Sequence, residues 1–246
     1  MSSNTHLVYI VLPCYNAEKY LLEQLMSIYY QNYSNWYLIF INDWSTDNSE
    51  AIARDRISHY NLHDKVKIIN KENWWLNSSI QRWLEEVKKL CDIHNTDSLV
   101  AYCDADDMWT KNKLELQINF MLKHPEYWLT YHNSYSIDQN NEIISPRYQN
   151  HFYREENFFY MATIWNRYNW PTMLFKPKYI DYIIPMPQWK HMAQDLWTAL
   201  ALWLNNIKIL FLDNCLLCRR VYWWSMQRNL EKKSTIEQNK IRMEYY

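Results

Sequence analysis

The chain has 246 residues, of which 48% are hydrophobic and 22% charged, with a formal net charge of −1. Length and apolar content suit a folded domain with a sizeable core and exclude intrinsic disorder. The near-neutral balance excludes the strongly basic surface that marks nucleic-acid binders, so no nucleic acid partner is expected.

Taken in chain order, the segments alternate in type. Leu7-Val8-Tyr9-Ile10-Val11-Leu12 is a continuous apolar run ending at Pro13, the pattern of a strand buried on both faces. Asn16 is placed to cap a helix in which Tyr20, Leu21, Leu25 and Ile28 recur at spacings of three and four. Residues 37–41 form a second strand, stopped by Asn42-Asp43-Trp44-Ser45-Thr46-Asp47, and a helix runs from Asn48 towards His59. A third strand covers 66–69 and a third helix 76–90. The fourth strand, 98–103, runs directly into Asp104. A helix follows over 113–123. Residues 127–190 are rich in Tyr, Asn, Trp and Pro, with short extended runs and weak helical periodicity. A helix over 194–204, a strand over 207–212 and a charged terminal helix from Glu231 complete the chain. Strands alternating with helices of this length predict an α/β fold with a mostly parallel central sheet.

No apolar run reaches the roughly 18 residues that span a bilayer, and Met1-Ser2-Ser3-Asn4-Thr5 lacks the layout of a signal peptide. A cytoplasmic location is the expectation, with peripheral association at the inner face of the plasma membrane left open. The five cysteines are odd in number and scattered through apolar segments, as for reduced core thiols. Cys215 and Cys218 have metal-ligand spacing but no second pair nearby, so no zinc site is expected. The eight histidines show no ligand spacing and are assigned no role, and His132, near the expected acceptor side, is read as a surface residue.

Chemistry concentrates in two acidic clusters, at Asp43 and at Asp104-Ala105-Asp106-Asp107. Both follow predicted strands, and in open α/β sheets ligands bind beyond the strands' carboxyl ends. Three carboxylates within four residues repel one another unless a cation relieves them, and hard oxygen donors suit Mg²⁺ or Mn²⁺. A solvated acidic turn capping the next helix is the alternative, and spacing alone does not separate the two.

Three ordered segments decide between them by resemblance. Val8 to Tyr20 resembles the opening of the family 2 glycosyltransferases, which have the GT-A fold. Leu38 to Ser49 is similar to that family's second strand and its "DDGSTD" turn. Asp104 to Trp109, followed by Lys113-Leu114-Glu115, resembles its metal-binding DxD segment, and a looser likeness continues through Gln194-Asp195 and Arg219 to Ser225. The resemblance implies a Rossmann-like α/β/α sandwich, with residues 1–125 as the nucleotide-sugar-binding half and 126–246 as the acceptor-binding and catalytic-base half of one domain. It implies that Pro13, Tyr15 and Asn16 line the base and ribose, that Asp43 hydrogen-bonds a uracil or thymine, and that Ser45 lies on the nucleotide side of the same turn. It further implies that Asp104 contacts ribose or metal, that Asp106 ligates Mn²⁺ or Mg²⁺, and that Asp195 is the catalytic base. The implied partners are a UDP- or dTDP-sugar donor and a glycan or lipid-linked acceptor, and the implied reaction is transfer of one sugar with inversion in cell-surface polysaccharide or glycolipid synthesis. A sugar-nucleotide pyrophosphorylase would need a glycine-rich phosphate loop after the first strand, which Pro13-Cys14-Tyr15-Asn16 does not resemble. A sugar-nucleotide binder without turnover is the better rival.

This sequence departs from the family pattern at Asn42, which replaces the first acid of the Asp-Asp pair, at Gln194, where Glu is usual, and at Ile80-Gln81, where many members carry Arg-Asn. It also contains no glycine and 14 tryptophans, where average usage predicts about 17 glycines. Trp44 occupies the glycine position of the turn after the second strand, and Trp74, Trp75, Trp83, Trp128, Trp223 and Trp224 fall where the family tends to have glycine or a small residue. Such a pattern is what a gene would yield if its glycine codon were read as tryptophan. Coding DNA that uses one codon at Trp44 and at the family-typical Trp36 and Trp109 would refute that reading.

Overall fold

The computed structural model describes residues 6–71, 76–94, 98–145, 170–186 and 194–222. Strands are β1 (Leu7–Cys14), β2 (Trp36–Asp43), β3 (Val66–Lys71), β4 (Ser98–Tyr102), β5 (Met108–Trp109), β6 (Leu129–Ile137), β7 (Ile143–Ser145), β8 (Leu174–Phe175) and β9 (Ile209–Arg220). Helices are α1 (Leu21–Tyr29), α2 (Ser49–His59), α3 (Leu76–His94), α4 (Lys113–Lys123), α5 (Ile180–Ile183) and α6 (Gln194–Leu204).

One sheet carries the strands in the order β3-β2-β1-β4-β8-β6-β9-β5, with β7 on β6. The long ladders, β1 with β2 and β4, β2 with β3, and β6 with β9, are parallel. Two-residue strands supply most of the antiparallel pairing. β1 is central because Val8 to Leu12 are apolar and wholly buried. Alternation sends Val8, Ile10, Leu12 and Cys14 to one face, against Leu21, Ile28, Ala53 and Ile118 of α1, α2 and α4. Tyr9 and Val11 point to the other, against Ile80, Leu84, Ile180 and Leu202 of α3, α5 and α6. The result is the expected three-layer α/β/α arrangement.

Four expectations change. Helix α1 begins at Leu21 without a side-chain cap, and Asn16, held at φ 47°, is engaged elsewhere. Within the stretch expected to hold only short extended runs, β6 runs for nine residues and pairs with β9 along its length. The last strand starts at Ile209 and extends to Arg220, beyond the predicted 212. His132 is fully buried in β6 rather than at the surface, because its Nδ1–H donates to the Asn133 carbonyl at 2.7 Å and burial keeps the ring neutral. No disulfide joins the five cysteines, as expected. The predicted terminal helix and the aromatic stretch around residues 158–168 lie outside the described residues.

Candidate active site

The parallel registers Cys14↔Asn42 and Val11↔Tyr102 send the chain out of β2, β1 and β4 at one edge of the sheet. Neighbouring strands lie roughly 4.8 Å apart, so the exits of β2 and β4 stand about 10 Å apart with that of β1 between them. Asp43, then Pro13, Tyr15 and Asn16, and then Asp104 therefore border one carboxyl-end edge. Tyr15 is exposed there, whereas Asp43 is buried.

The turn after β2 is stitched to the loop after β1 by short polar side chains. Asn16 N–H donates to Ser45 Oγ at 3.1 Å, and Thr46 N–H donates to Asn16 Oδ1 at 2.9 Å. Ala17 N–H donates to Ser49 Oγ, and Glu18 N–H to Asp47 Oδ2, both at 2.9 Å. Asn42 accounts for its own departure from the family pair: its Oδ1 accepts from Ser45 N–H while its Nδ2 donates to Glu50 Oε2 at 2.9 Å. An aspartate there would set a second carboxylate against Glu50 with no proton between them.

Trp44 sits in this turn at φ 64°. The other left-handed residues in the described chain are all asparagines, at 16, 61, 141 and 206, the residue type that best tolerates that region after glycine. An indole there is strained, as the glycine-like position in the sequence predicts. At Trp83 the backbone makes no such demand, since the residue packs inside α3 among core side chains. Trp74, Trp75, Trp223 and Trp224 lie outside the described residues.

The loop after β4 is held differently, by buried groups from far along the chain. Arg220, at the end of β9, donates its backbone N–H to Asp107 Oδ1 at 2.9 Å and its Nε–H to the Asp106 carbonyl at 2.9 Å. The same guanidinium reaches the Asp138 carbonyl at 2.8 Å and Glu23 Oε2 at 2.6 Å. Its carbon lies 4.0 Å from the Tyr20 ring centroid. Tyr222 donates its phenol to Asp106 Oδ2 at 2.5 Å. Asp107 is almost wholly buried and its Oδ2 has no hydrogen-bond partner. Burial, then the Asp104 and Asp106 charges, push its carboxyl well above the usual range.

Beneath this loop Lys113, the first residue of α4, is fully buried. Its Nζ donates to Gln117 Oε1 at 2.6 Å and lies 4.5 Å from the Trp109 ring centroid. Gln117 in turn donates to Thr130 Oγ1 and the Thr172 carbonyl. Burial pulls the ammonium from 10.5 to about 7.

Of the residues predicted for the site, Pro13, Tyr15, Asn16, Asp43, Ser45, Asp104 and Asp106 thus gather at one edge. Asp195 is the second residue of α6, and its side chain lies outside the described residues. Arg220, Tyr222 and Glu23 were not among the predicted residues. The only sequence signal for them is the Arg219-Arg220-Val221-Tyr222 run, which belongs to the looser part of the family resemblance.

Among the described residues no group of three or more His, Cys, Asp or Glu side chains converges to hold an ion. Asp104 and Asp106 offer hard carboxylate oxygens, a donor type that fits Mg²⁺ or Mn²⁺. No helix among the described residues is long and apolar enough to cross a membrane.

Putative glycosyltransferase EpsE of Bacillus subtilis is 36% identical over 121 residues, covering 49% of this chain and 40% of that protein. The Escherichia coli UDP-Glc:alpha-D-GlcNAc-diphosphoundecaprenol beta-1,3-glucosyltransferase WfgD is 29% identical over 139 residues, covering 56% and 49%. The chain thus spans less than half the length of these curated relatives. Staphylococcus aureus TarS 1–349 in complex with UDP superimposes over 95% of this chain and 69% of its own, with a TM-score of 0.66 at 18% identity. The mannosyltransferase PcManGT of Pyrobaculum calidifontis, in complex with GDP-Man and Mn²⁺, does so over 97% and 65%, with a TM-score of 0.59 at 15% identity. Both share the fold. The sequence profile of Glycosyl transferase family 2 spans residues 9–182, across the strand exits and both acidic turns, and on that match the chain belongs to glycosyl transferase family 2.

Proposed function

We propose that the protein transfers one sugar from a UDP- or dTDP-sugar to an acceptor hydroxyl, with inversion and with the help of a divalent cation. The setting is synthesis of cell-surface polysaccharide or glycolipid, the acceptor is a glycan or lipid-linked glycan, and the location is the cytoplasmic side, at the inner face of the plasma membrane. The observation that carries this is the gathering of Asp43 and the Asp104–Asp107 loop at one carboxyl-end edge in a family 2 chain. The UDP complex of TarS and the UDP-Glc donor and diphosphoundecaprenol acceptor of WfgD support the donor and acceptor classes.

In this reading residues 1–125 bind the donor. Pro13, Tyr15, Asn16 and Ser45 line the nucleoside, Asp43 accepts from the base, and Asp104 faces the ribose and cation. Asp104 and Asp106 would hold Mn²⁺ or Mg²⁺, which supplies Lewis-acid stabilisation of charge on the departing diphosphate. Residues 126–246 bring acceptor and base. Asp195 takes the proton from the acceptor hydroxyl as its oxygen bonds to the anomeric carbon, and the carbon–oxygen bond to the diphosphate breaks on the opposite face. One displacement of this kind inverts the centre, and a positioned base contributes roughly 10²–10⁴-fold.

A panel of nucleotide sugars assayed for Mn²⁺-dependent transfer or hydrolysis tests the proposal. Turnover with a uridine or thymidine donor, lost in Asp106→Ala and Asp195→Asn, is the expected result; turnover that survives both substitutions refutes the assignment. Trp44 favours a second reading, because a strained turn beside Asp43 weakens donor placement. A binder without turnover would take up nucleotide and cation yet consume no donor with any acceptor.

A further inference from the structure

The acidic loop has supports that a structural turn would not need. Its Asp106 is gripped twice from the end of β9. The Arg220 guanidinium takes the backbone carbonyl at 2.9 Å, and the Tyr222 phenol takes Oδ2 at 2.5 Å. The side chain of Arg220 is wholly buried, and its remaining donors are spent on Glu23 of α1 and on Asp138 after β6. Tyr20 completes the setting, under Arg220 and 6.4 Å from the Tyr222 ring. In the bond to Asp106 the Tyr222 phenol is the donor and the carboxylate oxygen the acceptor.

A carboxylate that accepts a fixed hydrogen bond on one oxygen has only the other free to turn outward. Partners of this kind orient metal ligands and raise affinity through them. We propose that Tyr222 and Arg220 are positioning residues for the cation: Arg220 sets the backbone of the Asp104–Asp107 loop, and Tyr222 occupies Asp106 Oδ2 so that Oδ1 is presented to the metal. The inference rests on the cation site proposed above. It assigns the end of β9, more than a hundred residues from the loop in sequence, to control of cation affinity.

Mn²⁺ uptake followed by electron paramagnetic resonance, in the presence and absence of UDP, tests this without an activity assay. Tyr222→Phe removes one oxygen and is expected to weaken Mn²⁺ binding about 10–100-fold. Metal-free UDP affinity should stay at the wild-type value, which a general loss of packing would not leave intact. Arg220→Lys, which retains charge for Glu23 but not the planar fork, should recover part of the Mn²⁺ affinity lost in Arg220→Met. Tyr222→Phe with Mn²⁺ affinity within twofold of wild type overturns the inference while leaving the cation site standing. Wild-type protein that binds UDP but no Mn²⁺ overturns both. Should the Arg220 variants fail to fold, Tyr222→Phe alone decides.

Discussion

The two acidic turns are built in opposite ways. The turn carrying Asp43 is tied by short side chains within some thirty residues of one another, mostly at the exposed surface. The loop carrying Asp106 is tied by buried Arg220 at the end of β9 and by half-buried Tyr222 two residues beyond it, with sequence separations of 113 to 116 residues. Local ties are worth little individually because water competes for them, whereas a buried guanidinium with several acceptors cannot be removed without stranding each. Damage to the second loop should therefore spread through the fold, and damage to the first should stay local.

Stability measurements can break that comparison. Arg220→Met strands the Asp106 and Asp138 carbonyls and Glu23, and should cost about 3 kcal/mol in urea unfolding. An effect below about 1 kcal/mol would put the two turns on the same footing. The buried support also makes the second region sensitive to pH. Between about 7 and 9, below the range in which the buried thiols of Cys14, Cys103 and Cys218 would ionise in the unfolded chain, that chain holds a proton that folded Lys113 has released, so stability should rise with pH across that window by a few kcal/mol. Lys113→Met should flatten the rise, and a slope unchanged in the variant would place its origin elsewhere. In the first turn, Trp44→Gly relieves the left-handed strain and should stabilise by about 1 kcal/mol. Ser45→Ala, which removes one exposed tie, should cost less than about 1 kcal/mol.

The same contrast explains what the sequence discloses. β1, β2 and β4 are legible because strands buried on both faces are continuous apolar runs, and each ends at a polar break. The acids at 43 and 104 are legible because they fall at those breaks. β6 is less so: Leu129, Tyr131, Tyr135 and Ile137 alternate with Thr130, His132, Ser134 and Ser136, but the polar set is buried as well and Asn133 interrupts the pattern, so no apolar run marks the strand. Asp213 and Asn214 likewise hide the continuity of β9. Arg220 is marked only by the looser family likeness of its run, since its partners come from α1, the acidic loop and the end of β6. The left-handed backbone at Trp44 follows from the family's turn pattern, whereas Trp83 shows that a family-like small position can still be filled by core packing.

The central claim is that these two differently built turns serve one nucleotide. Calorimetric titration of UDP, with and without Mn²⁺, into wild type, Asp43→Ala and Asp106→Ala tests it most directly. The account predicts that Asp43→Ala weakens UDP binding under both conditions, while Asp106→Ala abolishes the Mn²⁺-dependent gain and leaves metal-free binding intact. UDP affinity that is the same in all three proteins, with and without Mn²⁺, would contradict it.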